Sequence, residues 1–477
     1  MSTAARTAII GGSTAAAGGR LPEVGVDTAL GGLGWRSETR RLRARRRAAA
    51  AWVEAHGFPT TKHEDWRYTK IDTALAVPVV ASVPEPSEAV VAAFPDIGLP
   101  EVRPGGARFV VVNGRVVPAL STTGRLPDGA RVEALSDALR RPEPLVEELW
   151  AWPGESYPDA FRAYNDAMAL DGVLIDLAAG AQVSDPIEII FVSLAVEEPR
   201  WSHPRVVVSA GAGSSATLVE TYIGVDGLSV TNALTQVRLG PGAQLAHYVL
   251  QAEGKASDHF SCLEVRLGER SRMSSRLLAT GGRIGRHQVD AVLGGEEAEV
   301  TVDGLFLTGS GQHHDNPVRI EHAAPNCMSR QLYKGVVSGD GRGVFNGHVV
   351  VRPGGDGTDA AQVNKNLLLS ERAEVDTRPR LEIFADDVAC SHGAAVGELD
   401  PDALFYLRSR GVDEDVARAV LVSGFAQELL DRFEPAPIRQ LAQQLAEAAG
   451  LVALEIATHD PAANPAALAA ARTGRPG

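Results

Sequence analysis

A cysteine and a histidine two residues apart, Cys390 and His392, carry the strongest chemical suggestion in the chain. They close the stretch DTRPRLEIFADDVACSHG (376–393), in which Leu381, Ile383 and Phe384 read as an apolar strand running into the acidic pair Asp386 and Asp387. In an extended backbone, residues i and i+2 project from the same face. A thiol and an imidazole on one face form a two-donor ligand set for a metal or for sulfur. Two donors leave a metal's coordination unfinished, so such a site needs further groups from elsewhere, a second chain included. A buried thiol beside a hydrogen-bonded histidine fits the same spacing.

A second group of donors lies in GQHHDNPVRIEHAAPNC (311–327), which holds His313, His314, Asp315, His322 and Cys327. Its spacing matches no structural zinc pattern, and adjacent histidines in a strand point to opposite faces. Structural or surface roles are the expectation. Asp303, Asp315 and Glu321 raise a different chemistry, because some β-helix enzymes cleave acidic polysaccharides with carboxylates. GAGSSA (211–216) satisfies a dinucleotide fingerprint on paper, yet the TLVETYIGV that follows reads as a strand where a helix is required. GDGRG (339–343) reads as a turn. No phosphate-loop motif and no G-x-S-x-G elbow occurs, so this chain carries no ATP site of its own and no serine-hydrolase signature.

The elements that must position these residues follow from periodicity. Residues 1–35, rich in Gly and Ala without a period, read as a disordered tail. An Arg-rich helix is expected from about Ser37 to Ala55, ended by His56, Gly57 and Pro59. A mixed α/β region then runs to 170, with a hairpin in FVVVNGRVV (109–117), where Asn113 and Gly114 suit a type I′ turn. From 171 to 396, short β-branched runs alternate with Gly-rich turns, and Gly211, Gly240, Gly268, Gly294, Gly339 and Ser370 serve as turn anchors. Their spacings of 29, 28, 26, 45 and 31 residues predict a stacked β-helix or solenoid, with an extra loop around 308–330 filling the long interval. A β-sandwich also accommodates short strands at this density. Beyond 396 the period turns helical, with Asp400–Pro401 as a start signal. A second helix is expected at 413–433, with Val416, Val420, Leu421, Phe425 and Leu429 as its apolar stripe, and a third at 437–449. The domains therefore read as 36–170, 171–396 and 397–456, with a fraying tail at 457–477.

Bulk properties exclude several classes. The 477 residues are 44% hydrophobic and carry a net charge of −14, which argues against a nucleic-acid scaffold. Three scattered cysteines suit a reducing compartment better than a disulfide framework. No run reaches the roughly 18 apolar residues of a membrane helix. A cytoplasmic location is expected, with the Arg-rich, acid-poor start leaving a plastid transit peptide as the alternative.

Three blocks, KHEDWRYTK (62–70), SRQLYKGVVSGDGRGVFNGHVVV (329–351) and LEIFADDVACSHGAAVGELDPDALFYLRSRGV (381–412), resemble the SufD family of the SUF machinery, which assembles iron–sulfur clusters. The resemblance spans about 45–435. Two departures separate the chain from the paralogous SufB family: QVNKNLLLS (362–370) has no cysteine, and CSHGA stands where SufB has an EHEA-like run. The resemblance implies a mainly β fold, a right-handed parallel β-helix core flanked by an N-terminal α/β domain and a C-terminal helical domain. It implies a non-catalytic scaffold subunit paired with SufB, or with itself when alone, and bound to SufC, an ABC-type ATPase that supplies ATP hydrolysis. It further implies that iron or an iron–sulfur cluster is held transiently at the SufB interface, with His392 first and Cys390 second as contributing residues. The ATPase contact maps onto Leu404, Phe405, Tyr406, Leu407 and Arg410. Whether a flavin also binds stays open.

Overall fold

Parallel strands stacked rung upon rung in two sheets form the body of the protein. The computed structural model describes residues 39–77, 106–141, 143–150, 157–194, 200–224 and 227–451; the tails expected at 1–35 and 457–477 lie outside them. Among the described residues each sheet has ten strands, and from Arg205 onward the chain alternates between the two. In the first sheet Ser215, Gln244, Arg272, Glu299, Met328, Asp359 and Ala389 are successive register partners, 29, 28, 27, 29, 31 and 30 residues apart. A constant coil length keeps like side chains in columns. Leu245, Met273 and Val300 stack on one inner wall, and Val265, Ala291 and Ile320 on the other, in one buried core. This is a parallel β-helix, and the β-sandwich alternative falls because the long strands pair in parallel with the coil above and below.

The extra loop expected at 308–330 is absent. The strands Glu299–Thr308, His313–His322 and Met328–Val337 pass through that interval in regular register. The 45-residue spacing has another cause. Gly211, Gly240, Gly268 and Gly294 mark turns from the second sheet to the first, whereas Gly339 and Ser370 mark turns leading back. The interval between Gly294 and Gly339 is thus one and a half coils.

Helix α1 (Arg40–His56) begins where the Thr39 side chain accepts a hydrogen bond from the Leu42 amide, and stops at Gly57 with φ +71°. It lies beside α2 (Ala160–Met168), whose Phe161 joins Phe58, Trp66, Trp201 and Phe260 in an aromatic cluster on the outer face of the second sheet. The predicted hairpin forms: Asn113 and Gly114 adopt positive φ, and Val111 pairs with Val116.

Among the described residues three helices follow the last coil: α3 (Pro401–Ser409), α4 (Glu414–Leu430) and α5 (Ala436–Ala448). Helix α3 starts as predicted, with the Asp400 carboxylate accepting from the Asp402 amide at 2.9 Å. The buried stripe of α4 differs from the expected one. Val416 is exposed, and Val420, Leu421 and Phe425 are half-buried, while Ala417, Val422, Ala426, Leu429 and Leu430 are buried. Small side chains let the helix lie close on the first sheet, where Lys334 donates to the Phe425 carbonyl at 2.7 Å and Arg432 bonds Asp303 at 2.9 Å. A reading by large apolar residues alone finds Leu429 but misses Ala417 and Ala426.

Candidate functional site: the open end of the solenoid

The strands Glu374–Ile383 and Val388–Gly397 end their sheets, and among the described residues no further strand pairs with either. Register fixes what they present. Cys390 stands opposite Ala360 and His392 opposite Gln362, both buried interior positions, so the two side chains share the inward-facing column of the last rung. With no coil above it, this column is uncovered: His392 is exposed and, among the described residues, makes no hydrogen bond or ion pair. Cys390 is half-buried against Val349, Val351 and Ala360, and burial together with the neighbouring Asp359 pushes its thiol above the ordinary value. A thiol so placed stays protonated at neutral pH, which makes it the weaker donor of the two. Ile383, Phe384 and Val396 stand 40, 56 and 44% exposed around this end.

Three residues beyond the last strand, α3 presents Phe405 and Tyr406 at 73 and 58% exposure, with the Arg410 guanidinium 5.1 Å above the Tyr406 ring. Leu404 and Leu407 are half-buried on the other side of the helix. No side chain of α3 is fully buried. Of the predicted site residues, His392, Phe405, Tyr406 and Arg410 are thus exposed and Cys390, Leu404 and Leu407 half-buried, on neighbouring segments of the chain.

The remaining donors do not converge. His313 and His314 point to opposite faces: the former lies 2.9 Å from the Thr69 hydroxyl outside, the latter 2.9 Å from Thr308 Oγ1 and from the Gly281 carbonyl inside. His322 meets Ser329 at 2.9 Å, and the Cys327 thiol donates to the Gly295 carbonyl at 3.3 Å. Among the described residues no three His, Cys, Asp or Glu side chains form a metal-holding group. Asp303 lies under α4 on the first sheet, whereas Asp315 and Glu321 belong to the second, and each is held by an arginine: Arg432, Arg286 and Arg352. That arrangement gives a polysaccharide lyase no shared cleft. A cleft of about 500 Å³ between the N-terminal segment and the second sheet includes Arg286, Arg319 and Arg380, each likewise paired with a carboxylate.

The KHEDWRYTK block acts as a clip. Trp66 stacks on Phe161, Thr69 donates to Asp315 at 2.6 Å, and Glu64 accepts from Arg378 of the penultimate strand at 2.7 Å. The interior also holds polar groups that the sequence reading passes over. Glu220 accepts from Tyr222 at 2.6 Å and Thr235 at 2.7 Å and pairs with His247, while His259 lies 2.8 Å from Glu253. Their signal was present as isolated polar residues at inward positions of apolar strands.

A parallel β-helix with an uncovered last rung, between an N-terminal helical segment and C-terminal helices, is the architecture that the sequence resemblance implies. Comparison with known proteins agrees. The SufBD core domain of the SUF iron–sulfur cluster assembly system matches residues 192–425, and the SufBD N-terminal region matches 35–189. The chain belongs to the SufBD family, and its place is with the SufD members as a subunit of SUF iron–sulfur cluster assembly. It is 31% identical to the iron–sulfur cluster assembly protein SufD of Escherichia coli over 80% of this chain and 87% of that one. An iron–sulfur cluster assembly SufBD family protein of Synechocystis is 29% identical over 83 and 88% of the two chains. The chloroplastic protein ABCI7 of Arabidopsis thaliana is 33% identical over 70 and 72%.

Proposed function

We propose that this chain is the non-catalytic half of a two-subunit scaffold, closed at its open solenoid end by a SufB-like paralogue. The observation that carries the reading is the uncovered last rung, with His392 on its inward-facing column and two unpaired strand edges beside it. Such edges favour strand addition by another chain. A second SufBD-type solenoid has the right geometry to continue the sheets, and two copies of this chain meet there when the paralogue is absent. His392 offers imidazole to iron, or accepts a proton, while the partner supplies the softer thiolate donors. Cys390 contributes second, given its raised thiol. Iron and the growing cluster are cargo, held by a ligand sphere that is complete only while the two halves are together.

Helix α3 is the contact for a SufC-like ABC ATPase through Phe405, Tyr406 and Arg410, with Leu404 and Leu407 beneath them; the exposed Val416 of α4 extends the apolar face. ATP hydrolysis on that partner moves the helical domains and parts the solenoid ends. The cytoplasm is the expected location, and the chloroplastic relative keeps a plastid in play. Co-expression with SufB-like and ATPase subunits, followed by anaerobic iron and sulfide analysis, tests the reading. His392→Ala is expected to leave an intact three-component complex that has lost its cluster. Equal cluster content in wild type and variant would move the chemistry wholly onto the partner, and loss of the complex itself would make the histidine architectural.

A further inference from the structure

Directly beneath His392 in the same inward-facing column lie Gln362 and then Gln331, each register partner of the next. Both glutamines are buried, and among the described residues neither amide oxygen nor amide nitrogen of either has a hydrogen-bond partner. Their neighbours behave otherwise: Asn364 and Asn366 on the same strand bond each other at 2.6 Å. Burying an amide without a partner costs stability, and an apolar side chain of the same shape would not incur that cost. The fold also makes room for this group. Gly347 faces Gln362 across the interior, and a Cβ there would fall within the Gln362 amide.

A histidine that binds a ligand through one ring nitrogen needs a partner for the other, which fixes tautomer and ring orientation. An amide suits either tautomer, since it both donates and accepts. Adjacent side chains in a parallel column stand about 4.8 Å apart, within reach of a long glutamine and an unrestrained imidazole. We propose that Gln362, backed by Gln331, is the positioning residue for His392. The inference rests on the proposed role of His392 and adds to it the group that orients the ring.

The test uses Gln362→Met, a near-isosteric change without polar atoms, with Gln362→Leu as a second variant should Met prevent folding. In the full chain the melting temperature is expected to stay level or rise. In the co-expressed complex, where ligand binding orients the ring over the amide, the ¹⁵N-histidine spectrum, with His392 identified by its loss in His392→Ala, is expected to show its tautomer ratio moving toward that of free imidazole in Gln362→Met. In the co-expressed complex, cluster content is expected to drop about tenfold, the low end for loss of a ligand-orienting partner. The double variant with His392→Ala should fall no further than His392→Ala alone. Full cluster content in Gln362→Met, a lowered melting temperature with an unchanged tautomer ratio, or additive losses in the double variant would each overturn the assignment. If His392→Ala loses its cluster while Gln362→Met keeps it, only this inference fails; if His392→Ala keeps it, the underlying role of His392 fails as well.

Discussion

The closed coils and the last coil of the solenoid share one backbone plan and differ in almost everything that packing controls. In the strands Met328–Val337 and Arg342–Val351 nearly every side chain is buried, and the Tyr333 and Phe345 rings meet across the interior with centroids 4.9 Å apart and planes tilted by 35°. In Glu374–Ile383 and Val388–Gly397 the same inward columns continue, and no residue is fully buried. Identical strand geometry is therefore a core where a further rung covers it and an interface where none does. Stability belongs to the first region, and the chemistry expected of the chain belongs to the second.

Acid should separate the two regions most strongly, because the groups it perturbs lie under closed structure. Burial holds His314 and His322 down to about 4 and His203 to about 3. The unfolded chain titrates these rings near 6.5, so between 6.5 and 4 it binds protons that the folded chain refuses. Stability is then fully present above 6.5 and declines as pH falls through that window. At pH 5 each ring costs about 2 kcal/mol. Asp290, raised to about 6 chiefly by burial, pulls the other way by about 1 kcal/mol over the same change. A net loss on the order of 5 kcal/mol between pH 7 and pH 5 is expected from denaturant midpoints. An unchanged midpoint would mean that the interior admits water and protons without unfolding.

Truncation of the two cores sharpens the contrast at a smaller scale. Phe345→Ala removes a fully buried ring and should cost about 3–5 kcal/mol. Leu381→Ala, on the inward face of the last coil and only half-buried, should cost under about 1 kcal/mol in the isolated chain. Measured in the assembled complex, the second value should grow toward the first if the open end is covered there. Equal costs in the isolated chain would show that the last coil is already packed against something.

How much of this was readable from the sequence follows the same division. The coil reading worked because turn glycines recur at nearly constant spacing, and it erred at 308–330 because a glycine marks only some corners; Ala323–Ala324 and Pro325 turn one without it. Cys390 and His392 were placed on one face by the period of an extended strand, which needs no tertiary information. That this face is the uncovered end of a solenoid is a statement about the next rung, and no local pattern reports a missing neighbour. Gln331 and Gln362 were invisible for a related reason, since a polar residue every second position reads as a solvent face until register turns it inward. The stripe of α4 was misread because Ala417 and Ala426 carry the closest contact while contributing least to apolar periodicity.

The finest comparison lies between two glycines in strands of the same sheet. At Gly335 a methyl group would strike the Phe306 ring and the Asn366 amide oxygen, both held in place by closed coils. Gly335→Ala should therefore cost about 1–3 kcal/mol, as overpacking does. At Gly393 a methyl group would meet nothing within 4 Å, and its backbone does not adopt positive φ. Gly393→Ala should leave the isolated chain unchanged or raise its stability by up to about 1 kcal/mol through the unfolded state. The same methyl sits one residue from His392, on the outward side of the last rung whose free edge the partner is proposed to pair with. In the complex it should therefore weaken association with the SufB-like subunit, measured by dissociation of the purified pair, while melting of the free chain stays level. A variant harmless in the free chain and in the pair alike would mean that the partner leaves this part of the last rung uncovered.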